Sequence, residues 1–368
     1  MRIGIVIALA AVLAMPCCAA KRVTVEELEE TLASSKAVHQ VEATVVRQLS
    51  AMELTERLSS ARLERLKAGL PGVKSQMALQ ALADSSAFLD PPAVEIASAP
   101  APDSDALYKM LVPVANYVHT TLHQLPNFIA QREITGFEGQ PPHFNGRLTS
   151  TITYRDHKEL VEKADAQSRI NQPETPGLVT HGVFGPILTT VLKDALTSSI
   201  RWGRWEAGSN GSVAVLLYTV PMEKSHYSAW STGRGNSCAA GYAGGLDALR
   251  TIGDPTCTGT EAGRPAAYHG EIAFDPTSGA ILRLAIVADM SPNDSIIRDD
   301  IAVEYGSVEI GGKSYICPVR SISLMIERTA DYRGLPQRLL NDVVYREYHR
   351  FGSESRMMWD PIEPTANP

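Results

Sequence analysis

The chain has 368 residues, 44% of them apolar and 20% charged, and its 34 basic against 41 acidic side chains leave a formal charge of −7. That balance offers no basic face for nucleic acid and argues for an ordinary solvated surface. The apolar content is enough to bury a core, and the length suits one medium domain plus something smaller.

Residues 1–20 carry the three parts that export machinery reads: a cation at Arg2, an apolar run ending at Met15, and the small-residue end Cys18-Ala19-Ala20. Cleavage after Ala20 is the expected processing, giving an exported protein of the periplasm or the medium. Cys17 and Cys18 raise the question of lipidation, but Pro16 and Cys17 hold the places where a lipoprotein signal wants small residues. No later stretch reaches the 18 or so apolar residues that a membrane helix needs, so no transmembrane segment is expected after cleavage.

Residues 21–89 read as a helical hairpin. Thr24 with Glu27 forms a capping-box signature, and Val38, Val41, Val45 and Leu49 recur at helical steps, continued by Leu54, Leu58 and Ala61. Gly69-Leu70-Pro71-Gly72 breaks the run, and a second, shorter helix carries Leu79, Leu82 and Ser86. Residues 90–106, with Pro91, Pro92, Pro100 and Pro102 among small side chains, read as an extended linker and the clearest domain boundary.

A further helix follows from Leu107 until Pro126 stops it. Residues 107–352 then form a strand-rich domain. Strands are expected at Phe128, from Leu148 to Tyr154, from Ile200 to Glu206 and from Val213 to Val220, with one helix between Phe184 and Leu196. Two hairpins follow. One joins the strand of Ile272 and Phe274 to that of Leu282 and Leu284 through Asp275-Pro276-Thr277-Ser278-Gly279; the other turns at Gly311-Gly312. Val343 begins the last strand, and 353–368 is a polar tail. The fold class is therefore α+β: a curved, half-barrel-like antiparallel sheet wrapped on one or two helices.

Residues 231–264 are rich in glycine and read as a surface insertion. Their cysteines, Cys238 and Cys257, are expected to form a disulfide in an oxidising compartment, leaving Cys317 as a buried strand thiol.

Two resemblances have residues to stand on. The passage from the helix at Leu107 into Phe128-Ile129-Ala130-Gln131, and the paired strands around Gly270-Glu271-Ile272-Ala273-Phe274-Asp275, resemble the lipoprotein-carrier fold of LolA, LolB and RseB over residues 107–351. That resemblance implies a hydrophobic concavity holding an acyl chain or a lipidated partner; the insertion at 231–264 and the helical hairpin depart from it. Segments such as Leu54-Thr55-Glu56-Arg57-Leu58 and Phe184-Gly185-Pro186-Ile187-Leu188 resemble uncharacterised exported bacterial proteins, which imply no activity.

Catalytic signals stay at background. His119 and His123 share a helix face, but the position after the first histidine is Thr120 and no third ligand is indicated, so no metal site is assigned. Ser237 lacks the second glycine of a nucleophile elbow, and a thiol–imidazole pair of Cys238 with His226 would be lost to the disulfide. The glycines around Gly233 lack the Gly-Lys-Ser/Thr end that cradles phosphate, and Asp289, Asp294, Asp299 and Asp300 read as a solvated turn. No catalytic residue or cofactor is assigned.

The aromatic-rich middle strands carry the remaining hint. Trp202, Trp205, Tyr218, Ile272, Phe274, Leu282 and Leu284 are the expected lining of an apolar groove, with Trp230 and Tyr227 nearby. The function expected is a non-enzymatic exported protein that binds an apolar ligand or a lipidated partner, its hairpin docking an envelope protein. The alternative is a secreted hydrolase acting through the glycine-rich insertion.

Overall fold

The computed structural model describes residues 20–120, 125–156, 158–161, 169–170, 178–180, 183–208, 211–229, 237–239, 241–242, 264–328 and 335–351. Residues 1–19, where a signal peptide is expected, the tail after Phe351, His123, Trp230, Gly233 and Cys257 lie outside them, and Cys238 is described as backbone only. The Cys238–Cys257 pairing therefore falls outside the described residues, as do the side chains of His119 and Ser237.

The expected hairpin at 21–89 is corrected to a four-helix unit with a small ribbon. Its elements are β1 (Lys21–Val23), α1 (Val25–Ala37), α2 (Glu42–Ser50), β2 (Met52–Leu54), α3 (Ser60–Lys67) and α4 (Val73–Ser85). The capping box at Thr24 and Glu27 starts α1 as anticipated. The long arm divides because His39 takes a positive φ of 53° and Met52–Leu54 leaves the helix to pair in parallel with Lys21–Val23. A stripe of Val25, Leu28, Leu32, Val45, Leu49, Leu54, Leu63, Leu79 and Leu82 closes this unit's core.

After α5 (Ser104–Thr120), the chain builds β3 (Phe128–Glu138), β4 (His143–Arg155), β5 (Lys158–Val161), β6 (Arg169–Ile170), β7 (Leu178–Thr180), α6 (Pro186–Leu196), β8 (Ser199–Gly208) and β9 (Gly211–Val220). It continues through β10 (Tyr227–Ala229), β11 (Ser237–Ala239), β12 (Gly241–Tyr242), β13 (Arg264–Pro265), β14 (Tyr268–Phe274), β15 (Ile281–Ala288), β16 (Ile296–Ile310), β17 (Lys313–Arg328) and β18 (Pro336–Arg350). One open antiparallel sheet runs β5-β4-β3-β18-β17-β16-β15-β14-β9-β8, with β6 added beside β4. Both expected hairpins form. Gly311 and Gly312 have φ of 60° and 78° between Ile310 and Lys313, the two-residue turn whose twist matches that of paired strands.

The sheet is covered on both faces. Its inner face packs against α5 and α6 in the largest core, which includes Val114, Tyr117, Phe128, Ile187, Leu188, Tyr218, Ile272, Phe274, Leu284 and Tyr345. Its outer face carries Phe137, Ile322, Leu324 and Leu340, which meet Met77, Ala81, Ala87 and Phe88 of the N-terminal unit. Helix α4 is buried on two sides for this reason: Leu79 and Leu82 turn into their own unit while Ala81 and Asp84 turn to the sheet.

Two further expectations change. The linker at 90–106 is docked, not free: Ile96 bridges Glu206 on the edge strand β8, and Ala97 N–H donates to the Trp205 carbonyl at 3.1 Å. It thus carries the chain around the sheet edge from the outer to the inner face. The glycine-rich insertion is not wholly a surface excursion, since β11 pairs in parallel with β7, which lies against β17 and β18, while β12 pairs with β10.

Candidate functional site

The expected groove residues are brought to one side of the sheet with one exception, and most are core. Tyr218, Ile272, Phe274 and Leu284 are buried. Tyr218 donates its hydroxyl to the Ala285 carbonyl at 2.7 Å. Trp202 and Trp205 are half-buried, edge to face with ring centres 4.8 Å apart, and Trp205 Nε1 donates to the Pro100 carbonyl of the linker at 3.0 Å. Both can face the core, three residues apart, because the register shifts at Gly203. The same device excludes Leu282: a bulge opposite Ala273 and Phe274 hands the core position to Ile281 and leaves Leu282 half-exposed. Phe184, packed against Phe128 and Tyr345, leads into α6 and helps to fill the concavity that the groove would need.

The four aspartates are not one solvated turn. Asp289 and Asp294 remain at the hairpin, but Asp299 and Asp300 are fully buried within β16. Asp299 accepts from the Tyr227 hydroxyl at 2.9 Å. Burial pushes its carboxyl up to about 7, and pushes Asp300 up to about 6 against the pull of Arg298. Among the described residues, no group of three or more His, Cys, Asp or Glu side chains is arranged to hold a metal ion.

The outer face holds what sequence patterning did not reveal. Two ion networks fasten the N-terminal unit to the sheet. In the first, Glu271 takes Arg57 at 2.7 Å, Arg204 at 2.5 Å and Arg283, while Arg57 also reaches Glu206 at 2.7 Å. Burial alone would raise the Glu271 carboxyl, and Arg283, Arg57 and Arg204 outweigh it, holding the group down near about 2. In the second, Arg320 binds Asp342 at 2.7 Å, Ser60 Oγ at 2.7 Å and Asp84. Burial, together with the Asp342 carboxylate, pushes Asp84 up to about 8 against the pull of Arg320. The contacts that join Arg57, Ser60 and Asp84 of the N-terminal unit to the sheet span 149 to 260 residues of chain, so no local spacing announces them.

Beside these networks lies a cavity of 480 Å³ between the N-terminal unit and the outer face. Leu49, Met52, Leu54, Ala81, Leu82 and Leu89 supply its apolar walls. Its charged lining is Lys21, Arg22, Arg298 and Arg338 against a single acid, Glu53. Arg298 donates to Asp300 and sits over the Phe88 ring. The buried Nε of Arg338 meets no acceptor. Burial and then the nearby Arg298 charge disfavour the charged form of Arg338, lowering it from the usual guanidinium range against the pull of Glu53 and Asp300. An adjoining cavity of 300 Å³, lined by Met77, Ala78, Phe137 and Phe144, continues the apolar surface towards the β3–β4 turn.

A different arrangement lies at the C-terminal end of α6. Buried Asp194 accepts from His226 Nδ1 at 2.6 Å, from the His226 backbone N–H at 2.9 Å and from the Tyr268 hydroxyl at 2.8 Å. The imidazole is 63% exposed, so its other nitrogen faces outward beside the β10–β12 strands.

Neither a family profile nor a curated protein matches this sequence. A solved structure, a putative outer membrane lipoprotein-sorting protein domain from Vibrio parahaemolyticus, is similar at 8% identity and a TM-score of 0.31, over 68% of this chain and 95% of that one. The likeness is a weak one of fold alone.

Proposed function

We propose that this chain is an exported, non-catalytic binding protein for an apolar or lipid-like ligand, and that the ligand lies in the outer-face cavity. The observation that carries the reading is that cavity of 480 Å³, walled by leucines, alanines and a methionine. Its size falls within the roughly 300–1,000 Å³ of small-molecule sites, and its lining combines apolar walls with a few polar groups, as such sites do. The inner face, by contrast, is occupied by the protein's own core. Export to the periplasm or the medium rests on residues 1–20. Among the described residues no helix is long and apolar enough to cross a membrane. An envelope partner docking on the N-terminal unit would meet α1 and α3, because α4 is covered by the chain's own sheet.

Photo-crosslinking tests the reading. An uncharged dodecyl probe bearing a diazirine, incubated with the full chain, irradiated and mapped by mass spectrometry, should label peptides spanning 49–54 and 78–89 in a saturable manner. Labelling concentrated on the strands of Trp202, Trp205 and Leu284 would move the site to the inner face. Absence of saturable labelling would overturn the binding function.

A second reading, a hydrolase using the region of the glycine-rich insertion, is favoured by the Asp194–His226 pair alone. A buried carboxylate fixing one imidazole nitrogen leaves the other to act as a base. Labelling by a fluorophosphonate probe that is lost in His226→Ala would support it, and unlabelled wild-type protein would remove it.

A further inference from the structure

Resting on the reading of the outer cavity as the ligand site, we infer that its ligand is an anionic amphiphile: a single hydrocarbon chain ending in a carboxylate or a phosphate monoester. Three observations carry this.

The first is the imbalance of charge. Four cationic side chains and one carboxylate line a space whose remaining walls are largely apolar. Arg298 already pairs with Asp300, and Lys21 and Arg22 are exposed to solvent, so Arg338 is the cation that an uncharged hydrocarbon would leave facing it and an anionic head would complete.

The second is Arg338. Its guanidinium projects from the outer face of β18, and the buried Nε–H has no acceptor, in contrast to Arg57, Arg204 and Arg320, each of which is paired with carboxylates on the same face. A buried donor without a partner carries its full desolvation penalty, and an oxyanion placed against it would remove that penalty. Arg298, whose Nε is already directed to Asp300, stands close enough for its charge to bear on Arg338, so the two guanidiniums form a cationic end to the cavity.

The third is polarity along the cavity. The guanidiniums belong to β16 and β18, while Leu49, Met52, Leu54, Ala78 and Leu82 belong to α2, β2 and α4. The sheet wall therefore carries the two guanidiniums and the opposite wall is largely apolar, with Lys21, Arg22 and Glu53 at its β1–β2 edge, which suits a molecule with a charged end and a long apolar part. A free inorganic anion would use the first wall only.

Isothermal titration of the full chain with dodecanoate, dodecyl phosphate, dodecan-1-ol and inorganic phosphate separates these cases. Dodecanoate and dodecyl phosphate should bind saturably, roughly tenfold or more tighter than dodecan-1-ol, the scale of a charge-assisted hydrogen bond, and inorganic phosphate should not bind measurably. Arg338→Gln should lower the affinity for dodecanoate to that for dodecan-1-ol without lowering the melting temperature of the unliganded protein. Equal affinity for dodecanoate and dodecan-1-ol, or an anion preference that survives in Arg338→Gln, overturns the inference but leaves the apolar-site reading standing. Binding of phosphate as tight as that of dodecyl phosphate replaces the amphiphile with a simple anion. If none of the four binds, the parent reading fails with it.

Discussion

Arg320 joins residues that the chain keeps far apart: it is the single guanidinium shared by Asp84 of α4, Asp342 of β18 and the Ser60 hydroxyl, with Glu304 close by. Arg320→Met should therefore cost about 3–5 kcal/mol in urea unfolding, because removing one member of a buried pair leaves uncompensated charge. Asp84→Asn and Asp342→Asn in the same chain should recover most of that loss, and failure to recover would mean that packing, not charge, holds the site. Gly279 shows a different residue-scale constraint. Its φ of +74° and a Cβ that would lie 2.2 Å from the Pro113 carbonyl carbon leave space only for hydrogen where α5 crosses the β14–β15 turn.

Among the elements, the linker from Asp90 to Asp103 has the composition of a free strap and the contacts of a bound one. Its hold on β8 includes the Ile96–Glu206 bridge, made through the Ala97 amide, the indole of Trp205 and the Asp90–Arg204 ion pair at 3.4 Å. Ala97→Pro deletes the amide donor without disturbing Ile96, whose ψ of 114° already suits a residue before proline. The variant should lose about 0.5–1.5 kcal/mol and be cut faster by proteinase K within 96–103, while its circular dichroism stays that of the parent. Unchanged cleavage would show that the strap is held elsewhere. Helix α4 makes the complementary point: alanines at 78, 81 and 83 let it sit between two cores at close range.

For the molecule as a whole, the buried carboxylates set a pH dependence of unusual sign. Burial pushes the Asp299 carboxyl of the folded protein up to about 7 from the ordinary value of 3.8. Between those values the folded protein keeps a proton that the unfolded chain releases, so stability falls as pH rises through this window. Asp300, shifted up to about 6, acts in the same direction. Glu271 opposes them at the acid end: its stabilisation is present above the ordinary value of 4.5 and is lost as pH falls towards about 2. Urea unfolding should accordingly show greater stability at pH 5 than at pH 8, with Asp299→Asn flattening the slope and gaining stability at pH 8. A wild-type stability that rises over this range would contradict the assignment. Each unit of pKa difference is worth about 1.4 kcal/mol, so a single such group is readily measured.

The α+β class, both late hairpins, the strand at Phe128 and the helices at Val73, Leu107 and Pro186 were legible in the chain because each depends on local periodicity and turn chemistry. The excess of apolar residues on both sheet faces was legible too, but its meaning was not. Read as a groove on the inner face, it is largely the seat of the N-terminal unit on the outer one. Leu282 was assigned by a strict period of two that a bulge opposite Ala273 and Phe274 interrupts, and Trp202 and Trp205, three residues apart, share a face only because the register shifts at Gly203. Arg57, Arg320 and Arg338 carried no signal at all, since an arginine in sequence looks the same whether solvated or buried. Their roles were decided only when folding brought together segments separated by hundreds of residues. Coulombic and desolvation energies depend on distance in space, while sequence records only distance along the chain.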